Sequence, residues 1–304
     1  MDYVLTTSAL SKKYGKTHVL TDVSMHIPKG AIYGFVGRNG AGKTTLIRII
    51  CGLQEPTEGG YALYGIDHGD KAIKQSRNRM GAVVETPSLY LDMTAEGNLK
   101  QQALTLGLPS YGSISEVLKL VGLENTGRKK VRNFSLGMKQ RLGIGVALLG
   151  DPDFLVLDEP INGLDPQGIV EIRELILRLN REKQITVLIS SHILDELSKL
   201  ATHYGFIDKG RLLKEISAEE LENACRKCTC VEVSDTKVLS RILDEMGLEY
   251  EILSDKQANI YGKLNLTKLV MALAKADCEL RSSHEQDESL ESYFINLVGG
   301  ADHE

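Results

Sequence analysis

The 304-residue sequence predicts an α/β protein: a core of parallel βαβ units followed by a small α+β domain. Three observations predict it. Compact apolar runs at residues 31–37, 154–157 and 185–189 alternate with helical patterns, as parallel strands covered on both faces require. A glycine-rich loop joins the first of these runs to the next helix. Near residue 215 the character changes to the charged helical stretch KEISAEELENACRK, which divides residues 1–215 from 216–304.

The elements follow in order. Tyr3 and Leu5, then Val19, Val23, Met25 and Ile27, alternate loosely with polar residues and predict short, half-exposed strands. AIYGFVG at residues 31–37 is a buried strand ending in glycine, and a helix runs from Lys43 to Cys51. Residues 86–150 are mainly helical, punctuated by Pro87, Pro109 and glycines. Phe154 to Leu157 is the next strand, Gln167 to Asn180 a helix, and Ile185 to Ile189 a further strand. Beyond the boundary come strand Cys228–Val233, helix Lys237–Met246, strands Tyr250–Leu253 and Asn259–Tyr261, helix Thr267–Ala276 and strand Cys278–Arg281. This order is βαββαβ, with a last helix over Leu290–Val298 and the acidic run Glu285–Glu288 as its solvated start.

Composition narrows the function classes. The chain is 42% hydrophobic and 25% charged, the balance of a soluble globular protein. Its longest apolar run, Leu142 to Gly150, is about half of what a membrane span needs. A net charge of −5 gives no global basic field, so nucleic acid is not expected as a partner. The first residues lack a secretory layout, and five cysteines do not make a disulfide scaffold; reduced thiols in a cytosol are the expectation.

Gly37-Arg38-Asn39-Gly40-Ala41-Gly42-Lys43-Thr44 fits G-x-x-x-x-G-K-[ST] at every fixed position. Glycines let successive backbone N–H groups curl inward around phosphate with no Cβ in the way, and the dipole of the following helix faces the same anion. Lys43 can reach the β- and γ-phosphates, Thr44 can offer its hydroxyl to Mg²⁺, and Thr45 belongs with the nucleotide contacts. The strand at Phe154 ends in Asp158 and Glu159. Ligands of open parallel sheets sit beyond the carboxyl ends of strands, which places Asp158 as a seat for Mg²⁺ and Glu159 as a base for an attacking water.

Three further segments complete a set. Phe134-Ser135-Leu136-Gly137-Met138-Lys139-Gln140-Arg141 precedes the acidic strand, Asn162-Gly163-Leu164-Asp165-Pro166 follows it, and Ser190-Ser191-His192 ends the next strand. In order and spacing the five motifs resemble those of the ATP-binding-cassette (ABC) ATPases over residues 1 to about 215. The resemblance implies a P-loop fold with a parallel sheet core, a small antiparallel β subdomain and a helical subdomain at about 86–140. It also implies that two cassettes stack head to tail around two ATP molecules. Ser135 and Gly137 would meet the γ-phosphate held by the other subunit, Asp165 would lie at the seam, His192 would orient Glu159 and the water, and Tyr14 would stack on adenine. Its alternative for Tyr14 is a half-buried strand residue.

Two positions depart from the family pattern. Where most members have Leu-Ser-Gly-Gly-Gln, this chain has Phe-Ser-Leu-Gly-Met, so Met138 replaces Gln. The loop that usually carries Gln after a strand carries Glu85 instead, which places an extra carboxylate near Mg²⁺. That Glu, together with SLGMKQRLG, NGLDPQG, LISSHILDE and the C-terminal LESYFI, resembles the exporters of bacitracin and lantibiotics. The resemblance implies separate integral membrane permease subunits docked near the Glu85 loop on the helical segment Ser88–Arg132, with Leu89, Tyr90 and Met93 as contacts or as subdomain core. It implies a location on the inner face of the cell membrane. An exporter of drugs, lipids or polysaccharides, a non-transport ABC ATPase and a sensory subunit are the alternatives. Cys225, Cys228 and Cys230 suggest small core thiols; metal is the alternative, with Cys278 on a neighbouring strand as fourth thiol.

Overall fold

The computed structural model describes residues 2–225, 228–262, 264–286 and 290–301. The chain divides into two compact units, Met1–Ala218 and Glu219–Glu304. The division falls three residues beyond the change in composition. The strand Arg211–Ser217 pairs with its neighbour up to Ser217, and that pairing keeps the whole stretch in the first unit.

In the first unit, β1 (Tyr3–Tyr14), β2 (Thr17–Val23) and β3 (His26–Pro28) lead to β4 (Ile32–Val36), and α1 (Lys43–Ile50) follows the glycine loop. The unit continues through β5 (Glu58–Leu63), β6 (Ile66–Asp67), α2 (Ile73–Arg77) and β7 (Met80–Val83) to α3 (Ala95–Thr105), α4 (Ser113–Leu120) and α5 (Leu136–Leu148). It closes with β8 (Phe154–Asp158), α6 (Pro166–Lys183), β9 (Thr186–Ser191), α7 (Leu194–Ser198), β10 (His203–Asp208) and β11 (Arg211–Ser217). Among the described residues the central sheet runs β11-β10-β4-β9-β8-β7, with β7, β8, β9, β4 and β10 mutually parallel. Every residue of β4, β8 and β9 is buried, which explains the apolar runs at 32–36, 154–157 and 187–189 within them.

The N-terminal strands form a second, antiparallel sheet. β1 is not short: it spans 12 residues and pairs with β2, β3 and β5 by means of register shifts. Those irregularities blur the period-two pattern, which is why the sequence reads as fragments. Met25 lies between strands yet is fully buried in the core that also holds Leu46, Ile47 and Phe154.

The second unit holds α8 (Ala218–Ala224, begun at the junction), β12 (Cys228–Val233), α9 (Thr236–Met246), β13 (Glu249–Ile252), β14 (Gln257–Tyr261), α10 (Leu266–Lys275), β15 (Leu280–Gln286) and α11 (Leu290–Ala301). Its sheet order is β13-β14-β12-β15, and Val231, Val233 and Ile260 form a core with Leu239, Leu243, Leu269 and Leu273 of α9 and α10. Two expectations change here. Glu285 is a strand residue opposite Thr229, not a helix start, because β15 stays paired with β12 through Gln286. Residues 287 and 288 of that acidic run lie outside the described residues. Cys278 precedes β15 and sits by Ser234 and Asp235, beyond the far end of β12 from Cys228.

Candidate functional site

Gly37 to Thr44 connects β4 to α1, as the spacing predicts. Gly37 has no room for a side chain: a Cβ there would lie 2.5 Å from the Ile207 carbonyl oxygen on β10. Gly42 takes φ +108° and caps α1, where a Cβ would lie 2.6 Å from Leu20. The loop thereby turns tightly and delivers Lys43 to the helix start. Asn39 and Gly40 are exposed, Ala41 is buried, and Thr44 and Thr45 are half-buried on the first helical turn.

The Lys43 side chain is only 5% exposed, and its ammonium donates to the Gly37 carbonyl at 2.6 Å and the Arg38 carbonyl at 3.2 Å. Glu159 Oε1 lies 3.2 Å from it. The other oxygen of the same carboxylate, Oε2, lies 2.7 Å from His192 Nδ1. Glu159 follows β8 with φ +50°, a left-handed conformation rare for a side-chain-bearing residue. Its N–H is tied to the Ser190 carbonyl and hydroxyl at 3.2 and 3.0 Å, so β9 fixes the turn. Lys43, Glu159 and His192, far apart in sequence, thus meet at the carboxyl ends of β4, β8 and β9.

Asp158 is 1% exposed. Its Oδ1 accepts from the Ser190 hydroxyl at 2.6 Å, while Oδ2 is buried without a hydrogen-bond partner. A buried carboxylate oxygen with no donor is costly, and a cation or its water would satisfy it. The donor set of Asp158 with the Thr44 hydroxyl is hard oxygen, which suits Mg²⁺. Ser190 is the residue that motif reading missed: it stood in the quoted Ser-Ser-His segment, but that it holds Asp158 depends on the pairing Asp158↔Ser190 between β8 and β9.

Other expected residues are placed as follows. Ser135 caps α5, its hydroxyl accepting from the Met138 N–H at 3.3 Å, with Gly137 in the first turn. Asp165 caps α6 and accepts from the Gly168 N–H at 3.0 Å. Tyr14 ends β1, is 46% exposed, and donates its hydroxyl to Gln54 Oε1. Glu85 has φ +60° and forms a 2.6 Å ion pair with Arg48 on α1, a partner that no sequence motif announces. Tyr90 and the adjacent Leu91 are exposed, whereas Leu89 and Met93 are half-buried. In the second unit the Cys228 and Cys230 sulfurs are 4.0 Å apart and Cys230 donates to Asn259 Oδ1. The fourth thiol envisaged beside them, Cys278, is displaced to the Ser234 end by the antiparallel pairing of β15.

Comparison with known proteins agrees with this arrangement. The ABC transporter family model matches residues 20–162. The bacitracin transport ATP-binding protein BcrA of Enterococcus faecalis is 38% identical over 302 residues, covering 99% of this chain and 98% of that protein. The lantibiotic transport ATP-binding protein SrtF of Streptococcus pyogenes is 42% identical over 214 residues, 70% of this chain and 91% of that one. Among solved structures, a dimeric ATP-binding cassette in a post-hydrolysis state with ADP and phosphate superposes with a TM-score of 0.63 at 25% identity, covering 70% of this chain and 98% of its own. Among the described residues, no helix is long and apolar enough to cross a membrane.

Proposed function

Because the chain belongs to the ABC transporter family and is an ATPase, we propose that it drives a bacterial exporter of peptide antibiotics, conferring resistance or immunity. It works as a peripheral subunit on the cytoplasmic face of the membrane, through separate permease subunits. The observation that carries this reading is the extent of the similarity. The bacitracin transport relative aligns over 99% of this chain, the C-terminal unit included. The lantibiotic relative aligns over 214 residues, close to the length of the first unit.

The chemistry follows from the site. The backbone of residues 37–42 and the Lys43 ammonium hold the β- and γ-phosphates of ATP, and the exposed Tyr14 ring takes the adenine. Asp158 and the Thr44 hydroxyl, with Glu85 nearby, would hold Mg²⁺, which would supply charge neutralisation at the phosphate oxygens. Glu159 accepts the proton of the attacking water through the carboxylate that His192 orients. Ser135 and Gly137 present a helix N-terminus to the γ-phosphate of a second copy of the chain, and Asp165 lies at that seam. Each site is complete only when two chains close head to tail, so closure and hydrolysis are linked. Tyr90 and Leu91, exposed between the Glu85 loop and α3, supply apolar surface for the permease.

The test is co-expression of the chain with the membrane proteins encoded beside its gene, followed by purification in detergent and ATPase assay. A co-purifying permease that stimulates hydrolysis, with raised bacitracin or lantibiotic tolerance in a sensitive host, is the expected result. Hydrolysis with no membrane partner and no change in tolerance would overturn the exporter and leave the ATPase standing.

A further inference from the structure

Arg48 is not part of the five motifs, yet it makes a 2.6 Å ion pair to the one loop position where this chain carries an unusual charge, Glu85. Three features give that contact meaning. First, Arg48 lies four residues after Thr44 on α1, one helical turn along, so the two residues share one face of the helix. Second, β7 runs parallel to β8 with Val83 beside Leu157, so the chain leaving β7 toward Glu85 emerges next to the chain leaving β8 at Asp158. Third, Glu85 stands in the left-handed region at φ +60°, so the fold and not local preference holds it there. Glu85 is therefore a carboxylate at the rim of the metal seat whose charge is engaged by a cation on the helix that carries the seat's hydroxyl.

We propose that Arg48 and the metal seat compete for the Glu85 carboxylate, so that Arg48 sets the Mg²⁺ concentration at which the chain holds nucleotide. The proposal rests on the reading of Asp158, Thr44 and Glu85 as the Mg²⁺ side of the site. The Asp158 Oδ2 atom, buried and without a donor, marks where a cation is needed. The Arg48–Glu85 pair is the movable part. Both side chains are solvent-accessible, 37% and 55% exposed, and an exposed ion pair contributes little net stability, so a dication can take the carboxylate over. While the pair holds, it cancels a negative charge that would otherwise add to those of Asp158 and Glu159. An uncharged Gln at this position would have no such competition. The substitution of Glu for Gln in this loop thus acquires a function: it converts metal loading into an exchange between an internal cation and Mg²⁺. Arg48 is a positioning residue, acting through Glu85.

The test is equilibrium binding of a non-hydrolysable fluorescent ATP analogue to the full chain, titrated with Mg²⁺, so that turnover is not the readout. Arg48→Gln should lower the Mg²⁺ midpoint, by about three- to tenfold, because the competitor for the Glu85 carboxylate is lost. In the Glu85→Gln background the same substitution should shift the midpoint less than about twofold. Arg48→Lys, which keeps a cation but not the planar fork, should give a smaller shift in the same direction. A loss of structure at Arg48 would weaken binding in every background, the opposite sign. An unchanged or raised midpoint in Arg48→Gln or Arg48→Lys, or an equal shift with and without the Glu85 carboxylate, overturns the competition while leaving the Mg²⁺ site intact. Nucleotide binding by the wild type with no response to Mg²⁺ would instead overturn the metal reading of the site, and the competition with it.

Discussion

Lys43 at the start of α1 and Glu159 just after β8 lie 3.2 Å apart, ammonium nitrogen to carboxylate oxygen, although β8 and the strand β4 that leads into α1 are not neighbours in the sheet. The contact joins the lysine proposed to hold phosphate to the residue proposed as the base. A phosphate that engages Lys43 competes with Glu159 for it, and a Glu159 released from Lys43 keeps its second oxygen on His192 at 2.7 Å. On the proposed roles, nucleotide entry and orientation of the base would be linked through one carboxylate.

Glu159→Gln should retain or strengthen ATP binding, since the ion pair with Lys43 is lost and the ammonium is freed for phosphate. Turnover should fall by about 10²- to 10⁴-fold, the usual contribution of a positioned base. Phosphate release together with equilibrium nucleotide binding checks both halves. A variant that hydrolyses at the wild-type rate would remove Glu159 from this role.

Among the described residues, the Ser190 hydroxyl is the donor to Asp158 Oδ1, so Ser190→Ala leaves both oxygens of a buried carboxylate bare. Loss of one buried partner costs about 1–3 kcal/mol, so the melting temperature should drop. The shortfall should narrow on adding Mg²⁺ and ATP, because a bound cation compensates the same carboxylate. Thermal melts with and without Mg²⁺-ATP decide it; an equal shortfall in both would deny Ser190 any part in holding the metal ligand.

Asp165 caps α6, and the proposed seam between two cassettes would give its charge a second, separable role. As the cap of α6 it accepts from the Gly168 N–H at 3.0 Å, and Asp165→Ala should cost about 0.5–2 kcal/mol in denaturant titrations. Asp165→Asn caps about as well and should stay close to wild type in stability. If the charge also serves the seam between two cassettes, Asp165→Asn should still weaken ATP-dependent dimerisation measured by size exclusion or light scattering.

Glu196 on α7 supplies a pH dependence. The hydrogen bond and charge of Lys199, with Arg173 beyond, hold its carboxyl below the ordinary value of 4.5. A carboxyl depressed in the folded state adds stability above the ordinary value, and that contribution is lost as pH falls through the lower folded one. Glu196→Gln should therefore be less stable than wild type at pH 7, with the gap closing as pH drops below 4.5. Melting curves over that range test the sign; a gap that widens toward acid would contradict it.

Gly37→Ala should be destabilising by about 1–3 kcal/mol, because the new Cβ would collide with the backbone of Ile207 at 2.5 Å. The same displacement moves the phosphate loop, so nucleotide affinity should fall with stability. Melting temperature and nucleotide binding, measured together, check it; an unshifted melt would mean that β10 yields freely.

Much of this protein could be read from its chain alone. The phosphate loop occupies eight consecutive positions, and glycine chemistry with a strand before and a helix after is enough to shape it. The buried strands β4, β8 and β9, the helices between them and the βαββαβ order at the C-terminus are local patterns, set by backbone periodicity within each segment. What the sequence left open was every contact made across strands or between helix and loop. Glu285 entered a strand and Cys278 moved away from Cys228 because the register of β15 on β12 decided both at once. Ser190 on Asp158, Lys43 on Glu159 and Arg48 on Glu85 are pairings of residues 32, 116 and 37 positions apart. Spacing along the chain constrains residues within a turn or a strand. Side chains that far apart meet only where sheet register and helix packing bring them, and these are properties of the whole fold.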